Sequence, residues 1–189
     1  ISIGNLIREE IIKKKISYDE KNKFNNLKIL VLGGSQGAKI FAKDLPPIFE
    51  KIKNLNLSIK VYQQCQKNQN YQLTEFYEKA KIEHEIFNFK DNIIDYYLKT
   101  NLVITRSGAS ALGELINIKI PFISIPLPTS ADNHQYKNAE FYYKRGYGFL
   151  LEEKDIKNKL FDLIKNIFED KSLIRNILSN QRQYSDKNI

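Results

Sequence analysis

The chain has 189 residues, 42% of them hydrophobic and 28% charged, and a formal net charge of +8. That length suits one globular domain burying roughly 70% of its unfolded surface, enough to fold without metal or disulfide staples, and it excludes two full-sized domains. The single cysteine, Cys65, excludes an intrachain disulfide, and no apolar run approaches the ~20 residues of a membrane-spanning helix.

The elements alternate in type along the chain. Lys28 to Leu32 is a buried strand that stops at glycines, and Ala38 to Lys53 a helix broken or restarted at Pro46-Pro47. Ser58 to Gln63 alternates like a strand, Tyr71 to Lys81 is helical, Glu85 to Phe87 a short strand, and Asn92 to Lys99 a short helix. Leu102 to Thr105 is the next buried strand, followed by a helix from Ala109 to Asn117 and a strand from Pro121 to Pro126. A helix over Asp132 to Lys144, a strand over Tyr147 to Leu151, an amphipathic helix over Asp155 to Phe168 and a last helix from about Ser172 to Gln183 complete the series. This pattern predicts an α/β fold, a parallel sheet wrapped by helices on both faces. In such folds ligands bind beyond the carboxyl ends of the strands, where the strand order reverses. The loops that follow strands are therefore the ones to inspect.

The positive charge is spread along these elements, and only Lys13-Lys14-Lys15 forms a run. Neither zinc spacing nor an aromatic–basic alternation is present, so nucleic acid is not an expected partner. Most of the charge reads as solvated surface, with peripheral contact to an anionic membrane as its functional reading. Cys65 reads as a buried, inert thiol. The first residue is Ile1 rather than Met, as in a piece of a longer protein.

Two strand-to-helix loops share one design. In Gly33-Gly34-Ser35-Gln36-Gly37 the glycines permit close backbone approach and positive φ, the following helix offers N–H groups and a positive dipole end, and Ser35 adds a hydroxyl. A tight turn without ligand would use the same residues. In Arg106-Ser107-Gly108-Ala109-Ser110-Ala111 small side chains leave the helix start open, and Glu114 follows about one turn on, where a carboxylate can hold two neighbouring sugar hydroxyls. The plainer alternatives are a helix-surface carboxylate for Glu114 and a structural ion pair for Arg106. A third loop leads through Asp132 or Ser130, either able to cap a helix, to Asn133, His134 and Gln135, whose amides and imidazole suit a sugar ring. His84 and His134 are too far apart in sequence for a metal pair, and His84 reads as structural. Neither glycine loop carries the Walker or the dinucleotide pattern, which argues against a generic NAD-binding domain.

Four ordered segments together resemble one family: Gly4 to Arg8, Gly33 to Ala38, Arg106 to Ala109 with Glu114, and Asp132 to Gln135 with Asn138-Ala139. The chain resembles the bacterial transferases that add N-acetylglucosamine to the undecaprenyl-pyrophosphoryl-muramyl-pentapeptide precursor of peptidoglycan, the MurG family. The match runs over essentially the whole chain, with Leu6 where the family has proline and Lys90 where an apolar residue is commoner.

The resemblance implies one Rossmann-like half of a two-domain GT-B glycosyltransferase, the C-terminal half that binds UDP-N-acetylglucosamine. It implies a linker and leading helix over 1–26, the donor-binding domain over 27–170, and a C-terminal helix over 171–189. By resemblance, Ser35 and Gln36 lie at the donor pyrophosphate and Arg8 near its nucleotide end. Ala109, Ser110 and Ala111 offer backbone N–H groups, and Glu114 holds the ribose. His134 and Gln135 face the hexose, and Phe89 and Lys90 occupy the segment whose backbone reads uracil. The implied reaction is an inverting displacement at the anomeric carbon at the cytoplasmic face of the bacterial inner membrane, with no cofactor and no metal, since no Asp-x-Asp pair is present to hold a divalent ion. The lipid-linked acceptor is met through an N-terminal domain outside this chain. No convincing catalytic base lies within it, so it is expected to bind donor without turnover. Two other readings keep the motifs: the soluble donor-binding subunit of a split GlcNAc-transferase, and a truncated relic that only binds UDP-sugar.

Overall fold

A computed structural model describes residues 26–34, 39–90 and 92–184. The expected leading segment, with Arg8, and the Ser35-Gln36-Gly37-Ala38 part of the first glycine loop lie outside these residues. Strands β1 (Leu27–Leu32), β2 (Ile59–Gln64), β3 (Glu83–Phe87), β4 (Leu102–Thr105), β5 (Phe122–Ser124) and β6 (Phe149–Leu150) form one sheet in the order β3-β2-β1-β4-β5-β6. Every neighbouring pair is parallel. Parallel pairing requires crossovers, and the crossovers here are the helices that cover both faces.

Side chains alternate across each strand, which divides the core in two. Leu27, Ile29 and Val31 of β1 join one cluster, packed by α1 (Lys39–Asp44), α2 (Pro46–Asn54), α3 (Asn70–Lys79), α7 (Ile156–Glu169) and α8 (Lys171–Gln183). Leu30 and Leu32 join the other, under α4 (Ile94–Lys99), α5 (Ala109–Asn117) and α6 (His134–Lys144). Helix α8 belongs to this fold: Ile174 and Leu178 lie in the first cluster, and the Gln181 amide donates to Ile120 O at 3.1 Å and Tyr147 O at 2.6 Å.

The structure departs from the sequence expectations in several places, each with a local cause. The helix expected from Asp132 starts at His134, because Asp132 (φ 46°) and Asn133 (φ 54°) occupy the left-handed region. Asp and Asn enter that region at lower cost than other side chains. Neither residue caps α6; the Ser130 hydroxyl instead accepts from Gln135 N at 3.4 Å. Helix α4 starts at Ile94 rather than Asn92, whose side-chain oxygen accepts from Ile94 N at 3.2 Å and turns the chain. The break expected at Pro46-Pro47 is present: α1 ends at Asp44 and Pro46 opens α2, where its missing N–H costs nothing.

Candidate functional site

The chain leaves β1 toward β2 and β3 on one side, then returns to β4 on the other. The loops after β1 and β4 therefore diverge, and a cavity of about 430 Å³ opens between them. Leu32, Gln64 and Thr105, the last residues of β1, β2 and β4, line its base. Gly34, at φ +81°, turns the backbone away from β1 beside it, a conformation that favours glycine.

Helix α5 brings Ser110, Ala111 and Glu114 to the cavity. It starts at Gly108, whose extended backbone (φ −66°, ψ 136°) ends the loop from β4. The first N–H groups of any helix lack carbonyl partners within it, and the Ser and Ala side chains of this first turn are too small to cover them. Glu114 is 6% exposed, and the Tyr97 hydroxyl donates to its Oε2 at 3.2 Å. It is thus a buried carboxylate on a cavity wall rather than a surface one.

Arg106 also lines the cavity, but its guanidinium is engaged elsewhere. It pairs with Glu153, donates to Ile125 O at 3.3 Å and Pro126 O at 3.2 Å, and stacks 4.7 Å from the Phe41 ring centroid. The alternative of a structural ion pair describes its contacts.

Gln135 reaches the cavity from α6, and its Oε1 accepts from Ser107 N at 3.2 Å and Leu127 N at 3.0 Å. Phe89 and Lys90, exposed after β3, stand at the rim. Of the residues expected at the site, Lys90, Ser110, Ala111, Glu114 and Gln135 converge here. Ala109 and His134 are not on the lining; His134 is exposed, and its Nδ1 donates to Ala131 O at 2.7 Å. Arg8, Ser35 and Gln36 lie outside the described residues. Thr105, where the second candidate loop opens, also lines the cavity, whereas sequence reasoning missed Leu32, Gln64, Ile93 and Tyr97. Leu32 and Gln64 were accessible from the rule that sites form at strand carboxyl ends; no sequence signal distinguishes Tyr97 from the other tyrosines.

The remaining titratable singletons have structural surroundings. Cys65 is 4% exposed, donates to Asn70 Oδ1 at 3.1 Å, and burial pushes its thiol pKa up. His84 donates from Nδ1 to Ile82 O at 2.9 Å and packs on Tyr77. Among the described residues, no three His, Cys, Asp or Glu side chains gather in a group suited to a metal ion. Nor is any described helix long and apolar enough to cross a membrane.

A doubly wound parallel sheet with an open cavity at its switch point, a helix start on one wall and a buried carboxylate one turn in, defines a Rossmann-like half of the GT-B glycosyltransferase architecture. The chain belongs to the glycosyltransferase family 28 C-terminal domain family, whose sequence profile matches residues 28–187. A Pelagibacter ubique (strain HTCC1062) protein named UDP-N-acetylglucosamine–N-acetylmuramyl-(pentapeptide) pyrophosphoryl-undecaprenol N-acetylglucosamine transferase is 41% identical over 172 residues, 89% of this chain and 47% of that protein. A protein of the same name from Rickettsia typhi (strain ATCC VR-144 / Wilmington) is 40% identical over 165 residues, 84% of this chain and 43% of that protein. The chain thus spans about half the length of the curated relatives it matches. Among solved structures, Acinetobacter baumannii MurG shares the fold with a TM-score of 0.80 at 24% identity, over 93% of this chain and 50% of that one.

Proposed function

We propose that this chain is the donor-binding half of an inverting N-acetylglucosaminyltransferase that glycosylates a lipid-linked muramyl-pentapeptide in peptidoglycan synthesis. The observation that carries this reading is Glu114, a buried carboxylate facing the cavity one helical turn beyond a helix start lined by small residues. In it, the α5 start and the glycine loop after β1 cradle the pyrophosphate of UDP-N-acetylglucosamine. Glu114 accepts the ribose hydroxyls, the Phe89–Lys90 segment meets uracil, and Gln135 and His134 face the hexose. Ser35, Gln36 and Arg8 belong to the same site by family resemblance.

An acceptor hydroxyl attacks the anomeric carbon, the bond from that carbon to the β-phosphate oxygen breaks, and UDP leaves with the electron pair. The charge that develops on UDP meets the N–H groups and positive dipole end of α5, already oriented before reaction. In this reading Glu114, the one carboxylate among the described cavity side chains, is taken by the ribose, and the hydroxyl proton goes to a base in the half of the protein that meets the acceptor. The chain alone therefore binds donor without transferring it. The enzyme works at the cytoplasmic face of the bacterial inner membrane, reaching its acceptor through the other half of the protein and touching anionic lipid peripherally.

Calorimetric titration of the chain with UDP, UDP-N-acetylglucosamine, GDP and ADP tests the reading. It expects the uridine nucleotides to bind at least about tenfold more tightly than the purine ones, a difference of about 1.4 kcal/mol. Equal affinity for all four would overturn it.

A further inference from the structure

The start of α5 is held from α6. Two amide side chains of α6, Gln135 and Asn138, lie three residues apart and so share one helix face. Between them they take both backbone polar groups of Ser107: its N–H donates to Gln135 Oε1 at 3.2 Å, and Asn138 Nδ2 donates to its carbonyl at 3.1 Å. Ser107 is fully buried, and its own hydroxyl has no hydrogen-bond partner among the described residues. The side chain of Ser107 thus contributes no bond to the loop's position, and the two amides supply what it lacks. Gln135 Oε1 also accepts from Leu127 N at 3.0 Å, which ties the loop after β5 into the same clamp.

The amide orientations follow from these partners. Gln135 faces two N–H donors with its oxygen, and Asn138 faces a carbonyl with its nitrogen. Gln135 reaches the cavity, whereas Asn138 does not line it. Gly108, which follows Ser107, is the residue from which α5 begins, so a shift of Ser107 re-aims the whole first turn.

We infer that Asn138 is a positioning residue: it holds the Ser107 carbonyl so that the first N–H groups of α5 point at the ligand's distal phosphate. This rests on the donor-binding reading above, in which that phosphate lies at the α5 start. Asn138→Asp replaces the donor with an acceptor facing the Ser107 carbonyl, and Asn138→Leu removes it at similar volume. Removing one partner of a buried hydrogen bond strands the other, an effect that corresponds to about tenfold in binding where the stranded group orients the ligand contact.

The experiment pairs titration of UDP and UMP with amide hydrogen exchange at Ser107 and Leu112 in the ligand-free chain. In both variants UDP should weaken about tenfold while UMP, which lacks the distal phosphate, stays within about twofold. Exchange at Ser107 should accelerate without ligand. A general loss of fold would weaken UMP and UDP together, and that result overturns the inference, as does unchanged UDP affinity with unchanged exchange. Wild-type chain that binds no UDP would overturn the donor-binding reading instead; the exchange result then decides alone whether Asn138 holds the loop.

Discussion

The Tyr97 hydroxyl donates to Glu114 Oε2 across 3.2 Å and joins α4 to α5 where both side chains line the cavity. A carboxylate can accept several hydrogen bonds at once, so being oriented by Tyr97 is compatible with holding a ribose. Tyr97→Phe should weaken UDP binding about fivefold and lower unfolding stability by about 1 kcal/mol. Glu114→Gln should weaken UDP more than it weakens 2′-deoxy-UDP, because the deoxy ligand has already lost one partner. Calorimetry with the two nucleotides checks this, and an equal loss for both would remove Glu114 from the ribose.

Arg106 illustrates a cavity residue whose work is structural. Its guanidinium joins the loop after β4 to the carbonyls of Ile125 and Pro126 and to Glu153, with the Arg106 side chain only 11% exposed. Arg106→Met should cost about 2–4 kcal/mol, since it leaves a largely buried carboxylate and two carbonyls without their donor. Lysine should not rescue it, lacking the planar fork. Urea unfolding measures both variants; a loss below about 0.5 kcal/mol would show that the clamp is dispensable.

Two glycines should fail for different reasons. A Cβ at Gly148 would collide with the Phe122 ring, which is packed in the second core cluster. Gly148→Ala should therefore cost about 1–3 kcal/mol by overpacking. At Gly34 no described residue lies within 4 Å of an added Cβ, but φ is +81°. Gly34→Ala should cost about 1–2 kcal/mol by backbone strain alone. Pairing Gly148→Ala with Phe122→Leu should recover stability, whereas no neighbouring change should rescue Gly34→Ala.

Stability should fall in alkali. Burial pushes the Cys65 thiol and the Tyr77 phenol above their ordinary values of 9.0 and 10.0, and burial followed by the hydrogen bond to Glu85 raises Tyr96 as well. The unfolded chain releases these protons at the ordinary values while the folded chain still holds them. Their contribution is complete below about pH 8 and is lost as pH climbs through 9.0 and 10.0 toward the raised folded values. Urea unfolding across this range should show a steady decline, and Cys65 should resist alkylation at pH 8 until the chain unfolds. Stability that rises from pH 8 to 10 would contradict the assignment.

The sheet is legible in the sequence because strands buried on both faces are near-continuous apolar runs. Ile29-Leu30-Val31-Leu32 of β1 and Leu102-Val103-Ile104 of β4 are such runs, and every residue in them is buried. Helix α5 is legible to the residue, because small residues open it and an apolar face follows. The start of α6 is not, since left-handed Asp132 and Asn133 have the composition of an ordinary helix cap. The candidate cavity is legible at Ser110 and Ala111, small residues at the opening of α5 that reach its lining. It is opaque where a side chain from a distant element matters, as with Tyr97 on Glu114 or Asn138 on Ser107, because those contacts follow from packing rather than spacing.

The central claim is that the donor nucleotide occupies the cavity between the ends of β1 and β4. Backbone amide NMR of the chain titrated with UDP tests it most directly. The account predicts the largest shift changes at Gly34, Lys90, Ser110, Ala111 and Glu114, which line that cavity. Changes confined to the separate groove between Pro46 and Phe76 would contradict it.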